Sequence, residues 1–471
     1  MSESETGNPN QRQDAGLRGS VSRLNVLIGG TAAIIGVIYG YDLGSIASAI
    51  LFLEPDLGLS TFMVSVVTAT VVLGQLFGAF SAGLITNRLG RKRTMVGIAL
   101  GYVIFAALQG LAPNEWFLIV ARFLLGFTIG VSIVTAPAYI AESSPRSVRG
   151  SMIVTFQIAT VAGIAVSYFV GAALAGLESW RLILSLSAIP ALIVLFFVLR
   201  LPDTPRWYLM NGQRAEALNL IRRVQGDVDP EEEVQRIEED LAYEEKGSFT
   251  EIFQGRFRLA GIFVVMLGFL VQITGINAIV YYSPTIITQV GVTDPFRAIA
   301  VNGLIQLAGV VAVVVSFLVV DRWGRRPTLL TGVGLMVVAN AELVLSYALG
   351  TSPVLTFVGI LLFVVGFNFG YGSLVWVYAS ESFPVRLRTQ GGSAMLTSDL
   401  FANFLVGVVF LNALGALGGS LTFGIFCGLA IISFLFIYAL APETKGRQLE
   451  AIRQYWYNGA KWPEEAEKAR T

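Results

Sequence analysis

The chain has 471 residues, of which 54% are hydrophobic and 14% charged, with a mean hydropathy of +0.69 and no formal net charge. That balance excludes an ordinary soluble domain and gives no basis for nucleic-acid binding. One cysteine, Cys427, excludes intramolecular disulfides and cysteine-based metal clusters; the absence of histidine leaves carboxylates for any proton chemistry near neutral pH.

Residues 1–24 are polar, lack an apolar core and predict a cytoplasmic tail with no cleavable signal. A helix crosses the hydrocarbon core with about 20 mainly apolar residues. Twelve stretches qualify, at 25–50, 61–86, 94–112, 115–141, 151–176, 181–201, 257–290, 297–320, 327–349, 353–383, 389–414 and 419–441. The reading is an all-α membrane protein of twelve transmembrane helices in two six-helix bundles, 25–201 and 257–441. A cytoplasmic helical linker over 202–256 joins them, with amphipathic stretches at 214–225 and 231–245, and a cytoplasmic tail covers 442–471. Charge supports that topology, because 29 of the 32 basic residues fall in the tails and in gaps on one alternating side, as the positive-inside bias requires. The exceptions are Arg122, inside a span, and Arg181 and Arg297 in opposite gaps. The opposite gaps carry Glu54, Asp56, Glu115, Glu178 and Asp294. Both termini are therefore expected in the cytoplasm, with the protein in the cell membrane.

The two halves repeat. Asn87-Arg88-Leu-Gly90-Arg91-Lys92-Arg93 follows the second span and Asp321-Arg322-Trp-Gly324-Arg325-Arg326 follows the eighth. Glu142-Ser-Ser-Pro145-Arg-Ser-Val-Arg149 follows the fourth, and Glu381-Ser-Phe-Pro384-Val-Arg-Leu-Arg388 follows the tenth. Parallel repeats of six spans describe a two-bundle transporter with its substrate held between the halves. Glu142 with Arg149, and Glu381 with Arg388, are candidates to pair with Arg88, Arg91, Asp321, Arg322 and Arg325 in a latch at the cytoplasmic face. The bland alternative is a set of topogenic basic loops.

These repeats, together with Arg122-Phe-Leu-Leu-Gly126, Pro202-Asp-Thr-Pro205-Arg206-Trp207, Gln272-Ile-Thr-Gly275-Ile-Asn277 followed by Tyr281-Tyr282, and Pro442-Glu443-Thr444-Lys445-Gly446, resemble the sugar porter family of the major facilitator superfamily. The resemblance covers almost the whole chain. It implies the major facilitator fold and alternating access for a monosaccharide or polyol, without ATP or a cofactor. It also implies a chain that functions as a monomer in the lipid bilayer. Four positions depart from the family pattern: Asn87 stands for an acid, Val271 for a glutamine, Gly309 for an asparagine, and Asp399 for an amide.

By resemblance, Gln157, Gln272, Asn277 and Asn403 are sugar-contact amides, which suit hydroxyls that both donate and accept. Trp376 covers the sugar ring with Phe367 nearby, and Tyr281 and Tyr282 form the extracellular gate. The competing reading of each amide is interhelical hydrogen bonding, and of Trp376, packing. Asp399 is a second acid that titrates or accepts from a sugar hydroxyl, and Glu342 is a further intramembrane acid. Asp42 and Arg122 are charges at membrane depth that need a partner or a wet cavity. Symporters of this family carry an acid at the Asp42 position. Burial favours the neutral acid and a nearby guanidinium favours the carboxylate, so a conformational change that alters their spacing changes proton affinity. A static structural ion pair is the alternative.

The leading expectation is a proton-coupled sugar or polyol symporter. A passive facilitator for the same solutes is second. A membrane sugar sensor is third, and the short tail after Lys445 argues against it. An exporter of amphipathic compounds shares the fold but has no use for this row of amides. An enzyme is least expected, since no nucleophile motif, metal cluster or phosphate loop appears.

Overall fold

In lipid every backbone polar group must be satisfied within the protein, so apolar runs of this length fold as helices. The computed structural model of the protein describes residues 23–224, 229–244, 248–350 and 352–462, without the side chains of 23, 146–149, 243–244 and 385. Every regular element among these residues is helical. Among the described residues eleven helices are long and apolar enough to cross a membrane, and the last, Arg386–Leu440, has 55 residues, enough for two crossings. It is divided at Gly418, whose φ of 76° and ψ of 165° lie outside the helical region. Spans eleven and twelve thus meet without an intervening loop, and the crossings number twelve.

Three spans expected as single helices are broken. Span six is Trp180–Ser185 followed by Ala188–Val198. Span seven is Arg258–Ile273 followed by Ile276–Gln289, with Gly275 at φ 106° between them. Span ten is Pro353–Phe369 followed by Tyr371–Glu381. Span one, Arg23–Leu57, runs beyond its expected end and carries Glu54 and Asp56 on its last turn. Asp56 there accepts from Trp180 Nε1 (2.8 Å) and Arg181 Nη1 (2.7 Å). Arg297 likewise lies 3.3 Å from Asp294. Both basic residues in the opposite gaps are therefore neutralised beside an acid.

Packing repeats with the sequence. In the first half span one lies on span five, two on four, and three on four and six; in the second, seven lies on eleven, eight on ten, and nine on ten and twelve. The halves meet where span five faces eight and span two faces eleven, with span one against the second half of span seven. Spans two and four touch at backbone distance. A Cβ on Gly126 would lie 2.0 Å from the carbonyl oxygen of Val71, and one on Gly130 would lie 2.1 Å from that of Gln75. Glycine at these positions replaces the missing hydrophobic drive with close contact.

The linker forms helices Pro205–Met210, Arg214–Val224 and Pro230–Glu244 around a small apolar cluster of Ala217, Ile221 and Val234. It is tied to span eleven by the Glu251–Arg386 pair, and the Arg386 guanidinium holds the Glu251 carboxyl below the usual carboxylate range. The helix Leu449–Tyr457 returns to the same side, where Trp456 packs on Phe263 of span seven with ring centroids 4.8 Å apart.

Gly126→Ala should therefore force spans two and four apart. Thermal unfolding in detergent is expected to show a loss of about 1–3 kcal/mol, and an unchanged midpoint would refute the backbone contact.

Candidate functional site

The break in span seven brings the polar residues of the second bundle together. Gln272 sits on the last turn of the first segment and Asn277 on the first turn of the second. Gly275, in the left-handed region that favours glycine, lets the chain turn between them. Asn277 Nδ2 then donates to Gln272 Oε1 at 2.6 Å, and Gln272 Nε2 donates to Asp399 Oδ1 of span eleven at 3.0 Å. One turn along span eleven, the buried Asn403 accepts from the Tyr281 hydroxyl at 3.2 Å. Gln272, Asn277, Asp399 and Asn403 thus form one region. Gln157 of span five is half-buried. Trp376 is 40% exposed on the second segment of span ten, and Phe367 packs on Tyr371 with centroids 6.2 Å apart.

The departures at Gly309 and Val271 have separate physical readings. A Cβ on Gly309 would lie 2.8 Å from Nδ2 of Asn368, a buried amide on span ten. Glycine on span eight therefore makes room for an amide from the facing helix. Sequence reasoning missed Asn368, because Gly309 and Asn368 lie on different spans and only packing makes them neighbours. Val271 is buried, as an apolar packing residue should be.

Tyr281 and Tyr282 are fully buried, with edge-on rings 6.2 Å apart. The Tyr282 hydroxyl donates to the Gly407 carbonyl at 2.8 Å and its ring stacks on Phe410. Hydrogen bonds joining the two bundles fall on this side, away from the linker. Tyr168 of span five donates to the Val280 carbonyl at 2.6 Å, and Asn412 of span eleven donates to Ser65 of span two at 3.2 Å.

Asp42 is 3% exposed and Arg122 is 0% exposed. They lie within electrostatic reach but form no ion pair within 4 Å among the described residues. Arg122 Nε instead donates to the Val67 carbonyl at 2.7 Å, and Nη1 to Gln109 Oε1 at 3.1 Å. Asp42 Oδ2 and Arg122 Nη2 are buried with no hydrogen-bond partner. Buried polar atoms without a partner are costly in a dry interior.

On the linker side, each half builds its own charged junction. Arg91 meets Glu142 through Nε and Nη2, both at 3.0 Å. Thr204 Oγ1 donates to the same carboxylate at 2.6 Å, and Arg206 stands 3.9 Å away. Asp203 accepts from the backbone of Arg91 (2.9 Å) and Lys92 (3.3 Å), placing a negative charge on the open N-terminus of span three. The second half reproduces this plan. Glu443 accepts from the backbone of Arg325 (3.0 Å) and Arg326 (3.1 Å) at the start of span nine. Glu381 lies beside Thr444, within electrostatic reach of Arg325 and Arg388. Gly90 and Gly324, at φ 90° and 107°, turn the chain into these two helix starts. Tyr139 donates to the Pro202 carbonyl and Tyr378 to that of Pro442 (2.8 and 3.1 Å). Pro202-Asp203-Thr204 and Pro442-Glu443-Thr444 are thus a third internal repeat.

Arg325 lies 3.1 Å from Asp321, whose side chain is 78% exposed. An exposed pair of this kind contributes about 0–1 kcal/mol, so Asn87 in the first half forfeits little. Arg88 and Arg322 are exposed, and Lys445 Nζ donates to the Arg322 carbonyl at 2.5 Å. The side chain of Arg149 lies outside the described residues.

Comparison with known proteins follows the same lines. The family model for sugar (and other) transporters matches residues 29–456. The chain is 32% identical to the galactose–proton symporter of Escherichia coli over 435 residues, covering 91% of this chain and 94% of that protein. It is 31% identical to the arabinose–proton symporter of Bacillus subtilis over 442 residues, covering 92% and 95%. Identity to the major myo-inositol transporter of B. subtilis is 33% over 446 residues, covering 90% and 94%. Among solved structures, the xylose transporter of E. coli in a partially occluded inward-open conformation superposes with a TM-score of 0.79 at 22% identity, covering 91% of this chain and all of that one. That last likeness establishes the twelve-helix major facilitator fold. The match to the family model over most of the chain, on a fold with the same repeated architecture, places this protein in the sugar transporter family.

Proposed function

We propose that the protein is an alternating-access secondary transporter that imports a monosaccharide or polyol by proton symport across the cell membrane. The observation that carries this reading is the polar cluster Gln272–Asn277–Asp399 with Asn403, held at the break in span seven beside the bundle interface. Its amides and carboxylate offer both donors and acceptors to hydroxyls, with Trp376 available as an apolar face. Relatives named for galactose, arabinose and myo-inositol support that substrate class. Gln157, Phe367 and Asn368 complete the set of contacts.

Proton coupling rests on Asp42 and Arg122. The unpartnered Asp42 Oδ2 and Arg122 Nη2 are ready to change partners as the bundles reorient. Tyr281 and Tyr282 close the side away from the linker, which is the extracellular side in this reading. Arg91, Glu142, Arg325 and Glu381, with Arg88, Arg149, Asp321, Arg322 and Arg388 around them, form the cytoplasmic junctions. The domains are the tail 1–24, bundle 25–201, linker 202–256, bundle 257–441 and tail 442–471, with both tails cytoplasmic. The chain works as a monomer, without a cofactor or nucleic-acid partner, and performs no enzymatic reaction. A passive facilitator is the second reading, favoured by the satisfaction of Arg122 through Val67 and Gln109 rather than through Asp42.

Uptake of labelled galactose, arabinose, xylose and myo-inositol into proteoliposomes, with and without a proton gradient, separates the two readings. Symport predicts accumulation above equilibrium that collapses with an uncoupler, whereas gradient-independent equilibration would make the protein a facilitator. Asp42→Asn should abolish uphill accumulation while preserving counterflow exchange; retained accumulation removes Asp42 from coupling. Gln272→Ala and Asn368→Ala should each weaken sugar binding by about 1–3 kcal/mol, and an unchanged Kd would remove the residue from the site. Glu142→Gln should keep sugar binding and lower the thermal unfolding midpoint in detergent, because it leaves the Arg91 guanidinium uncompensated inside the first bundle, at a cost of about 3–5 kcal/mol. An unchanged midpoint would remove the pair from the framework of that bundle.

A further inference from the structure

We propose that Asp399 is a second proton-binding group, placed in the sugar site itself, and that sugar binding draws a proton onto it independently of Asp42. This rests on the sugar reading above and concerns the same cluster.

The hydrogen-bond directions carry the argument. Asn277 donates to Gln272 Oε1, which leaves the Gln272 amide nitrogen to face Asp399. Gln272 is thereby pinned as a donor to Asp399 Oδ1 and cannot offer its carbonyl instead. Asp399 Oδ1 accepts in either protonation state, so the proton belongs on Oδ2. A protonated Asp399 then presents one acceptor and one donor, as a side-chain amide does. An ionised Asp399 accepts only.

Charge balance points the same way. Asp399 is 8% exposed and has no ion-pair partner among the described residues. Facing it are Gln272 of span seven and Tyr39 of span one; the Tyr39 hydroxyl is within electrostatic reach of both Asp399 and Asp42. Span two, packed on span eleven, carries no ionisable side chain over residues 61–87. Span ten brings Tyr371, bonded to Ser433, and Tyr378 and Glu381 at the linker-side junction. The buried cation nearest the interface, Arg122 of span four, is held by the first bundle. Two carboxylates, Asp42 and Asp399, therefore share the interface region with one guanidinium. A sugar seated on the cluster replaces water around Asp399, and burying an unpaired carboxylate costs far more than burying a neutral acid. Binding the sugar and taking up the proton are then linked, with affinity falling as pH rises through the titration of Asp399.

The test is Kd against pH, from 5 to 9, for D-galactose, L-arabinose, D-xylose and myo-inositol on the full chain in lipid nanodiscs. Wild type, Asp42→Asn, and Asp42→Asn combined with Asp399→Asn are compared. With Asp42 neutralised, affinity should still weaken with rising pH, approaching about tenfold per pH unit for one linked proton. Sugar addition to that variant in weak buffer should also take up protons. Both effects should vanish when Asp399→Asn is added. Asp399→Gln in the same background carries the comparison if Asp399→Asn fails to fold by thermal unfolding. A pH-independent Kd in Asp42→Asn, or a slope that survives the second substitution, overturns the inference while leaving the sugar reading intact. Binding of none of the four solutes at any pH removes the sugar reading, and this inference with it.

Discussion

The constraint on which the rest of the structure depends is the absence of water in the bilayer core. Each polar group there must find a partner inside the protein or remain costly. Many of the buried hydroxyl side chains obey this by bonding to a carbonyl one turn back, as Thr68, Thr94 and Thr135 do. Against that background the exceptions are informative. Asp42 Oδ2 and Arg122 Nη2 are unsatisfied at membrane depth, and the cluster at Gln272 spends its amides on one another and on a carboxylate. Both arrangements also join helices, Arg122 reaching spans two and three and Gln272 reaching span eleven. Spans two and four in addition meet through glycine at backbone distance.

The two halves share a frame and differ in what they carry. The contacts of spans one to six recur in spans seven to twelve, and an acid accepts from the opening backbone amides of spans three and nine at both linker-side junctions. Asp203 caps span three as Glu443 caps span nine. The buried arginine with its amide partner Gln109 belongs to the first half, and the amide–carboxylate cluster belongs to the second. Duplication supplies the symmetry that lets the bundles rock, and divergence within each supplies the chemistry. The bundle interface is where those two inventories meet, through Tyr39 and Tyr281.

The sequence made the spans, the repeat and most of the junction legible because each depends on composition or local order. Apolar length reports a crossing, and charge reports a side. Breaks within spans were not legible, because Thr274-Gly275 and Gly370 are ordinary in membrane helices unless packing forces a turn. The junction between spans eleven and twelve was expected as a gap, but Gly418 turns the chain without one. The exchange of an amide between spans eight and ten was hidden for a different reason. Asn368 fills space vacated at Gly309 on another helix, and only the packing reveals that the two positions are neighbours. Partners of Arg122 were equally out of reach, since a backbone carbonyl on span two has no side-chain identity to read.

Magnitudes decide how such a molecule moves. Within the first bundle, Arg91 and Glu142 form a buried pair with two short contacts, reinforced by Thr204. Leaving either charge alone in that setting costs about 3–5 kcal/mol. The bonds that cross between bundles on the far side, from Tyr168 to Val280 and from Asn412 to Ser65, join neutral groups. Each contributes about 0.5–1.5 kcal/mol net. A thermal fluctuation, or a modest difference in ligand affinity between two states, is enough to exchange the second kind of bond and not the first. Each bundle should therefore keep its internal geometry while the surface between them opens and closes. Carrying the charges that are expensive to separate inside the bundles, and leaving inexpensive contacts between them, is what makes rigid-body alternation accessible in this fold.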